Sequence, residues 1–448
     1  MNKGRLFKAG ALASLVLSVL VHPTLSMVHA AENAFQTKTF SKAASSRVQV
    51  KGIIIKYRQG AGVTKGLGAQ YAGQNAAGLG FAKASEAANR RGVSLLFDKS
   101  LVTGGHLLRL SAALPPDQLR QMIEEIAKDP AVEYAEPDSI RRAALAPNDP
   151  YYSYQWHLQA ATGGIQMPAA WDLATGNGVR VAYVDTGSTS HPDLTPNLIG
   201  GYDFISDPWT ANDGNGRDSD PSDAGDGVTA YESYWYCGDA YQEFPASWHG
   251  TGVAGIVGAL TNNGVGVSSV AFGAKVVPVR VLGRCGGLVS DIAEGAIWAA
   301  GGAVPGVPAN PYPAKVINLS LAYRDACSAT EQAAIDTIRG LGAVVVVAAG
   351  NHSESSTLYA PANCRGVITV GATAANGGKA DFSNFGATVG LSAPGVSVLS
   401  TANFGYWTPG TADYGYWDGT SMSAPQVAGV AALMLQQNPG LTPDQVAA

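Results

Sequence analysis

Three short strings, far apart in the chain, each carry one reactive side chain. They are VAYVDTGSTSHPDL with Asp185, SWHGTGVAGIVGA with His249 and GTSMSAPQVAGVAALM with Ser421. A serine hydroxyl is a poor nucleophile at neutral pH until an imidazole takes its proton. A buried carboxylate then fixes the imidazole tautomer and stabilises the imidazolium. The order acid, imidazole, hydroxyl differs from Ser-Asp-His in α/β-hydrolases and from His-Asp-Ser in chymotrypsin. Ser421 opens an apolar helix, where unpaired backbone N–H groups and the local field favour a developing oxyanion. Asn351 closes the apolar string VVVVAAGN.

The elements that must position these groups are legible as apolar runs. VRVAYVD (179–185), KVVPVRVLG (275–283), KVINLSL (315–321), GAVVVVAAGN (342–351) and GVITVGAT (366–373) are continuously apolar, as expected of parallel strands covered on both faces. Helical segments fall between them, at 287–300 and from Ser328, where Glu331 completes a capping-box pattern. This βαβα order predicts a three-layer α/β/α domain with a mainly parallel sheet. Asp185 and Asn351 then lie at carboxyl ends of strands, the edge where such sheets bind ligands.

The chain before this domain has a different character. Residues 1–30 read as a signal peptide, with Lys3, Arg5 and Lys8 ahead of an apolar core at 11–21 and Val28-His29-Ala30 at the cleavage point. Residues 1–145 hold 19 Lys/Arg against 10 Asp/Glu, and the remaining residues hold 10 against 24. A basic segment attached to an acidic body fits two domains that attract each other. The acidic body disfavours nucleic-acid binding. Residues 31–145 read as a small α+β domain, with strands at 48–57 and 105–112 and a helix within 114–130 that carries Leu119, Met122, Ile123 and Ile126 at helical spacing. The Gly/Ala-rich interval 59–92 reads as an elaboration of that domain. Four cysteines, Cys237, Cys285, Cys327 and Cys364, imply two disulfides in an exported chain, with three connectivities open. The absence of a CxxC spacing argues against zinc.

These strings together resemble the secreted bacterial subtilisin-family (subtilase, S8-type) serine proteases in precursor form, from about Tyr152 onward and more weakly before it. The resemblance implies a signal peptide (1–30), an inhibitory propeptide (31–145) ending near AVEYAEPD, and a subtilisin-like catalytic domain (146–448). It implies a secreted, monomeric serine endopeptidase that acts on protein substrates through an acyl-enzyme on Ser421. Self-processing between Arg142 and Pro147 would release it from its own propeptide, which serves as intramolecular inhibitor and folding aid, and no membrane attachment is expected after signal cleavage. Asp185, His249, Ser421 and Asn351 take the catalytic roles. Substrate lies as an extended strand beside Leu282 and Gly283 on one side and Ser320, Leu321 and Ala322 on the other. The S1 pocket is walled by Ser320–Ala322 and by Ala348, Ala349 and Gly350. Leu321-Ala322-Tyr323 stands where many relatives have Leu-Gly-Gly. With no charged residue assigned to the floor, large apolar P1 residues are expected.

The resemblance also implies structural Ca2+, held by Gln155, Asp193, Asn263 and the carbonyls of Val265 and Val267. The acidic stretch 207–244 offers a second candidate through Asp213, Asp218, Asp220 and Asp226. The disulfide pairing suggested by similar exported members is Cys237–Cys285 and Cys327–Cys364. Catalytic domains of the family continue past the helix start at Thr442, so truncation at the C-terminus is expected. Two other classes stand beside this reading. A peptide-binding scaffold needs none of the four catalytic residues. An α/β-hydrolase-type esterase needs a G-x-S-x-G elbow, which Gly419-Thr420-Ser421-Met422-Ser423 lacks.

Overall fold

The computed structural model describes residues 50–58, 79–139 and 146–448. The signal peptide, the first part of the 59–92 interval and most of the 142–147 processing segment lie outside the described residues. The described residues divide into two compact units, one up to residue 139 and one from residue 146 onward.

In the first unit β1 (Gly52–Tyr57), β2 (Leu95–Ser100), β3 (His106–Leu110) and β4 (Val132–Pro137) form an antiparallel sheet in the order β2-β3-β1-β4. Two helices, α1 (Leu79–Asn89) and α2 (Pro116–Ala127), complete a β-α-β-β-α-β unit. β1 buries Ile53 and Ile55 by period-two alternation, and α2 meets them with Leu119, Met122 and Ile126 at helical spacing. The region read as an elaboration contributes α1, which buries Ala84, Ala87 and Ala88 in the same core.

The second unit is built on a seven-stranded parallel sheet in the order β13-β12-β10-β8-β5-β7-β6. Its strands are β5 (Arg180–Asp185), β6 (Tyr202–Asp203), β7 (Lys275–Arg280), β8 (Val316–Leu319), β10 (Val344–Ala348), β12 (Ile368–Thr373) and β13 (Val389–Pro394). β9 (Tyr323–Arg324) pairs with β11 (Tyr359–Ala360), and β14 (Val398–Asn403) with β15 (Ala412–Trp417), both antiparallel. Alternate residues of β5 show why the runs are apolar throughout. Val181 and Tyr183 pack with α3 (His249–Gly258) and α6 (Thr420–Gln437), whereas Ala182 and Val184 pack with α4 (Val289–Ala299) and α5 (Ala329–Gly340). The three-layer expectation is met.

Every residue of α3 is buried, which its small side chains permit. A Cβ at Gly252 would lie 2.8 Å from Trp417 Cε2. Trp417 stands just before α6, so this contact sets the N-terminal turns of α3 and α6 side by side. Ser328 and Glu331 form the expected capping box of α5. Cys237–Cys285 and Cys327–Cys364 are both disulfide-bonded, the pairing the resemblance implied. Among the described residues, no helix is long and apolar enough to cross a membrane.

Candidate active site

Asp185 ends β5 fully buried, and its carbonyl accepts the N–H groups of Val281 and Leu282. The carboxylate is therefore carried by backbone fixed on both sides. Its Oδ1 accepts the Thr186 N–H and the His249 Nδ1–H, each at 2.8 Å. That bond fixes the tautomer with Nε2 bare, and buried Nε2 has no other partner. Burial pulls the His249 imidazole down in pKa, but Asp185, Asp226 and Asp223 outweigh it and the net direction is up.

Ser421 stands in the first turn of α6. Gly419 precedes it at φ 145°, a conformation that favours glycine. Ser421 Oγ donates to the Ser320 carbonyl at 3.1 Å, and Ser320 Oγ donates to the Ser421 carbonyl at 2.8 Å. Ser320 itself follows β8, the strand beside β5, so the nucleophile candidate is pinned to the same sheet edge as Asp185. Asn318 Nδ2 donates to Ser320 Oγ at 2.9 Å and locks that hydroxyl. Asn351 Oδ1 accepts the Thr420 N–H at 2.9 Å and the Thr420 Oγ–H at 2.8 Å. This anchor turns the Asn351 NH2 away from Thr420, 3.4 Å from where a Cβ of Gly419 would stand.

The substrate-binding candidates divide. Ser320, Leu321, Ala349 and Gly350 are buried around the serine, and Ala322 is half-buried. A Cβ on Gly350 would meet Ala322 Cβ at 3.5 Å, so these two residues narrow the expected pocket. Leu282 and Gly283 are buried instead of edge-exposed. Gly283 N–H is spent on the Gly286 carbonyl at 2.9 Å, and a Cβ there would collide with the Thr210 carbonyl. The exposed positions begin beyond, at Cys285, Gly287 and Leu288. The disulfide-bonded turn at Cys285 shifts the accessible edge along the chain.

The first calcium candidate is gathered in space. Asp193 is fully buried, its Oδ1 accepting the Asn263 amide at 2.7 Å and its Oδ2 the Val267 N–H at 3.0 Å. Asn263 Oδ1 accepts the Val265 N–H at 2.8 Å. Gln155 turns to the backbone of Ser268 and Leu399. Asp149, unnoticed in the sequence, binds the N–H groups of Asn262 and Asn263 and raises the Asp193 pKa through its charge. Burial is the larger cause, and the Asp193 carboxyl is pushed up to about 6. Its only sequence signal was the Asp in Pro147-Asn148-Asp149-Pro150.

The carboxylates of the second calcium candidate all have protein partners. Asp213 pairs with buried Arg280 at 2.7 Å; Asp218 and Asp220 close turns on the N–H groups of Asp220 and Ser222; Asp226 binds Ser247. Of these four, only Asp213 has an arginine partner among the described residues; Arg280 also pairs with Asp203, and Arg217 pairs with Asp291 and Glu294. Among the described residues, the one His/Cys/Asp/Glu cluster at metal-ligand spacing is Cys327, Glu331 and Cys364, and its cysteines form a disulfide.

The sequence model of the subtilase family matches residues 176–448. An extracellular protease of Xanthomonas campestris pv. campestris is 49% identical over 349 residues, which span 78% of this chain and 60% of that protein. An extracellular basic protease of Dichelobacter nodosus is 38% identical over 94% of this chain and 68% of its own length. Among solved structures, a protease of Pseudoalteromonas arctica superposes with a TM-score of 0.66 at 52% identity, covering 68% of this chain and 91% of that one.

Proposed function

The chain belongs to the subtilase family, and from that premise we propose that it is an exported serine endopeptidase cleaving proteins through an acyl-enzyme on Ser421. The observation that carries the proposal is the buried 2.8 Å bond from His249 Nδ1 to Asp185, which leaves Nε2 unengaged. In the reaction Ser421 Oγ leaves the Ser320 carbonyl and gives its proton to His249 Nε2 as it attacks the scissile carbonyl carbon. Asp185 stabilises the resulting imidazolium. The Asn351 NH2 and the Ser421 N–H stabilise the oxyanion. The imidazolium then protonates the leaving amine, and water releases the acyl group by the same path reversed.

The two relatives named extracellular proteases support export. The first unit supports the zymogen reading by its separate core and its place ahead of residue 144; it would act as intramolecular inhibitor of a monomeric enzyme. Structural Ca2+ fits at Asp193. Asp193 and Asp149 are two buried carboxylates that interact, and neither forms an ion pair with Lys or Arg among the described residues. Asp193, Asp149, the Asn263 side chain and the Val265 and Val267 carbonyls would hold the ion, with Gln155 committed elsewhere. When bound, Ca2+ would supply the missing counter-charge and tie the 262–267 loop to the start of the domain.

The test is casein hydrolysis by the exported protein, with and without a serine-directed sulfonyl fluoride. Loss of activity with a covalent mass on the Ser421 peptide is expected. Full activity after such labelling, or activity retained in Ser421→Ala, would refute the assignment.

A further inference from the structure

The acidic insertion between β6 and α3 holds two carboxylates that the steps above do not use. Asp226 takes both donors of Ser247, the N–H on Oδ1 and the Oγ–H on Oδ2, each at 2.6 Å. Ser247 Oγ in turn accepts the N–H of His249 at 3.3 Å. Between them Trp248 is held at φ 52°, a left-handed conformation costly for a bulky residue, which persists where the surroundings over-determine it. Its buried indole is anchored on the Gly405 carbonyl at 2.7 Å. The histidine therefore enters α3 from a strained residue clamped on one side by Asp226 and on the other by the β14–β15 hairpin connection.

Asp223 makes the complementary link. Its Oδ2 accepts the Thr186 Oγ–H at 2.7 Å, and Thr186 Oγ accepts the Gly250 N–H at 3.0 Å. The residues after Asp185 and after His249 are thus joined through one hydroxyl, and that hydroxyl is oriented by an insertion carboxylate. The charged groups that face the imidazole are Asp185 from β5 and Asp223 and Asp226 from the insertion, with Arg280 of β7 acting on Asp223.

We propose that Asp226, acting through Ser247, is a positioning residue for His249, and that its charge also supports the imidazolium formed during turnover. The proposal rests on the peptidase reading and adds to it a carboxylate drawn from the insertion. The direction of the His249 pKa agrees, since Asp226 and Asp223 both raise it.

Two variants separate charge from position. Asp226→Asn retains an acceptor for the Ser247 N–H and removes the charge. The acid limb of its kcat profile is expected to move down by about half a pH unit, with kcat lowered about 3-fold, the same loss of imidazolium stabilisation read twice. Ser247→Ala keeps the charge and removes the link to the His249 N–H. Its kcat is expected to fall with KM and the acid limb unchanged, and Ser247→Thr, which keeps a hydroxyl, is expected to restore it. Wild-type kcat and acid limb in both Asp226→Asn and Ser247→Ala, with only a lower Tm, would overturn the proposal. If Asp226→Asn does not fold, the Ser247→Ala and Ser247→Thr pair decides it alone. Failure of the peptidase reading is distinguished by the wild type, which would then neither cleave casein nor take the serine label.

Discussion

Ser320 and Ser421 exchange hydrogen bonds, each hydroxyl donating to the other's carbonyl, at 2.8 Å from Ser320 and 3.1 Å from Ser421. The reciprocal pair ties the first turn of α6 to the end of β8. It also holds the Ser421 hydroxyl on a carbonyl acceptor, so that bond must break before the proton can go to His249.

Ser320→Ala tests that tie. The variant keeps the carbonyl that accepts from Ser421 and loses the bond to the Ser421 carbonyl, along with the acceptor for Asn318 Nδ2. One lost hydrogen bond is worth about 1 kcal/mol, so kcat is expected to fall about 5-fold. Steady-state kinetics beside Ser421→Ala, which should have no turnover, checks it. A wild-type kcat in Ser320→Ala would show that the tie does not position the hydroxyl.

Asn351 serves two ends at once, and they can be taken apart. Asn351→Ala removes the acceptor for Thr420 as well as the NH2 donor. Asn351→Asp keeps the acceptor and removes the donor. Both are expected to lower kcat with little change in KM. The drop should be about 100- to 1000-fold, the loss found when such a donor is removed from subtilisin itself. If Asn351→Asp turns over as fast as wild type, the amide faces no oxyanion.

The His249 pKa direction fixes one limb of the pH profile. A general base must be neutral, so turnover is lost as pH falls through its pKa. Net elevation by Asp185, Asp226 and Asp223 over the opposing effect of burial places that loss above the ordinary imidazole value of 6.5. The linked stability has the opposite sense: the raised folded pKa stabilises the protein at low pH, and that contribution fades as pH rises through it. A kcat/KM profile with its acid limb below 6.5 would contradict the arrangement of carboxylates.

Much of this was readable because buried parallel strands advertise themselves. β5, β7, β8, β10 and β12 are covered on both faces and appear as uninterrupted apolar runs. β13 was missed because it is an edge strand whose Gly390, Leu391 and Ser392 are exposed. The β14–β15 hairpin was missed because polar Ser400 and Thr401 are buried there, bonded to the Gly252 and Thr251 carbonyls of α3. In the acidic insertion the partners of Asp213 and Asp226, Arg280 and Ser247, lie well along the chain. Asp226 at His249 is such a long-range relation, and no local pattern announces it.

Chelation separates the two halves of that lesson. Among the described residues Asp193 and Asp149 form no ion pair with Lys or Arg, whereas Asp213 of the insertion pairs with Arg280 of β7. Inactivation at elevated temperature is expected to be faster in EDTA than in excess Ca2+. Asp193→Asn should remove most of the difference, and Asp218→Asn should preserve it. Equal inactivation rates with and without EDTA in the wild type would withdraw the ion from this site.

Arg280 is expected to be the most costly single residue to lose in the insertion's attachment. It is fully buried at the end of β7 and contacts Asp203, Asp213 and the Ala211 carbonyl. Breaking a buried pair on one side leaves an uncompensated charge, at about 3–5 kcal/mol, so Arg280→Met should unfold at a much lower denaturant concentration. The size should depend on pH. Burial already pushes the Asp203 carboxyl up to about 7 despite Arg280. A folded pKa above the unfolded one gives stability that is greatest at low pH and lost as pH rises through it. Without the arginine that elevation grows, so Arg280→Met should be closer to wild type at pH 5 than at pH 8. Urea unfolding at both values checks it, and an equal loss at the two would mean Asp203 is not the residue left stranded.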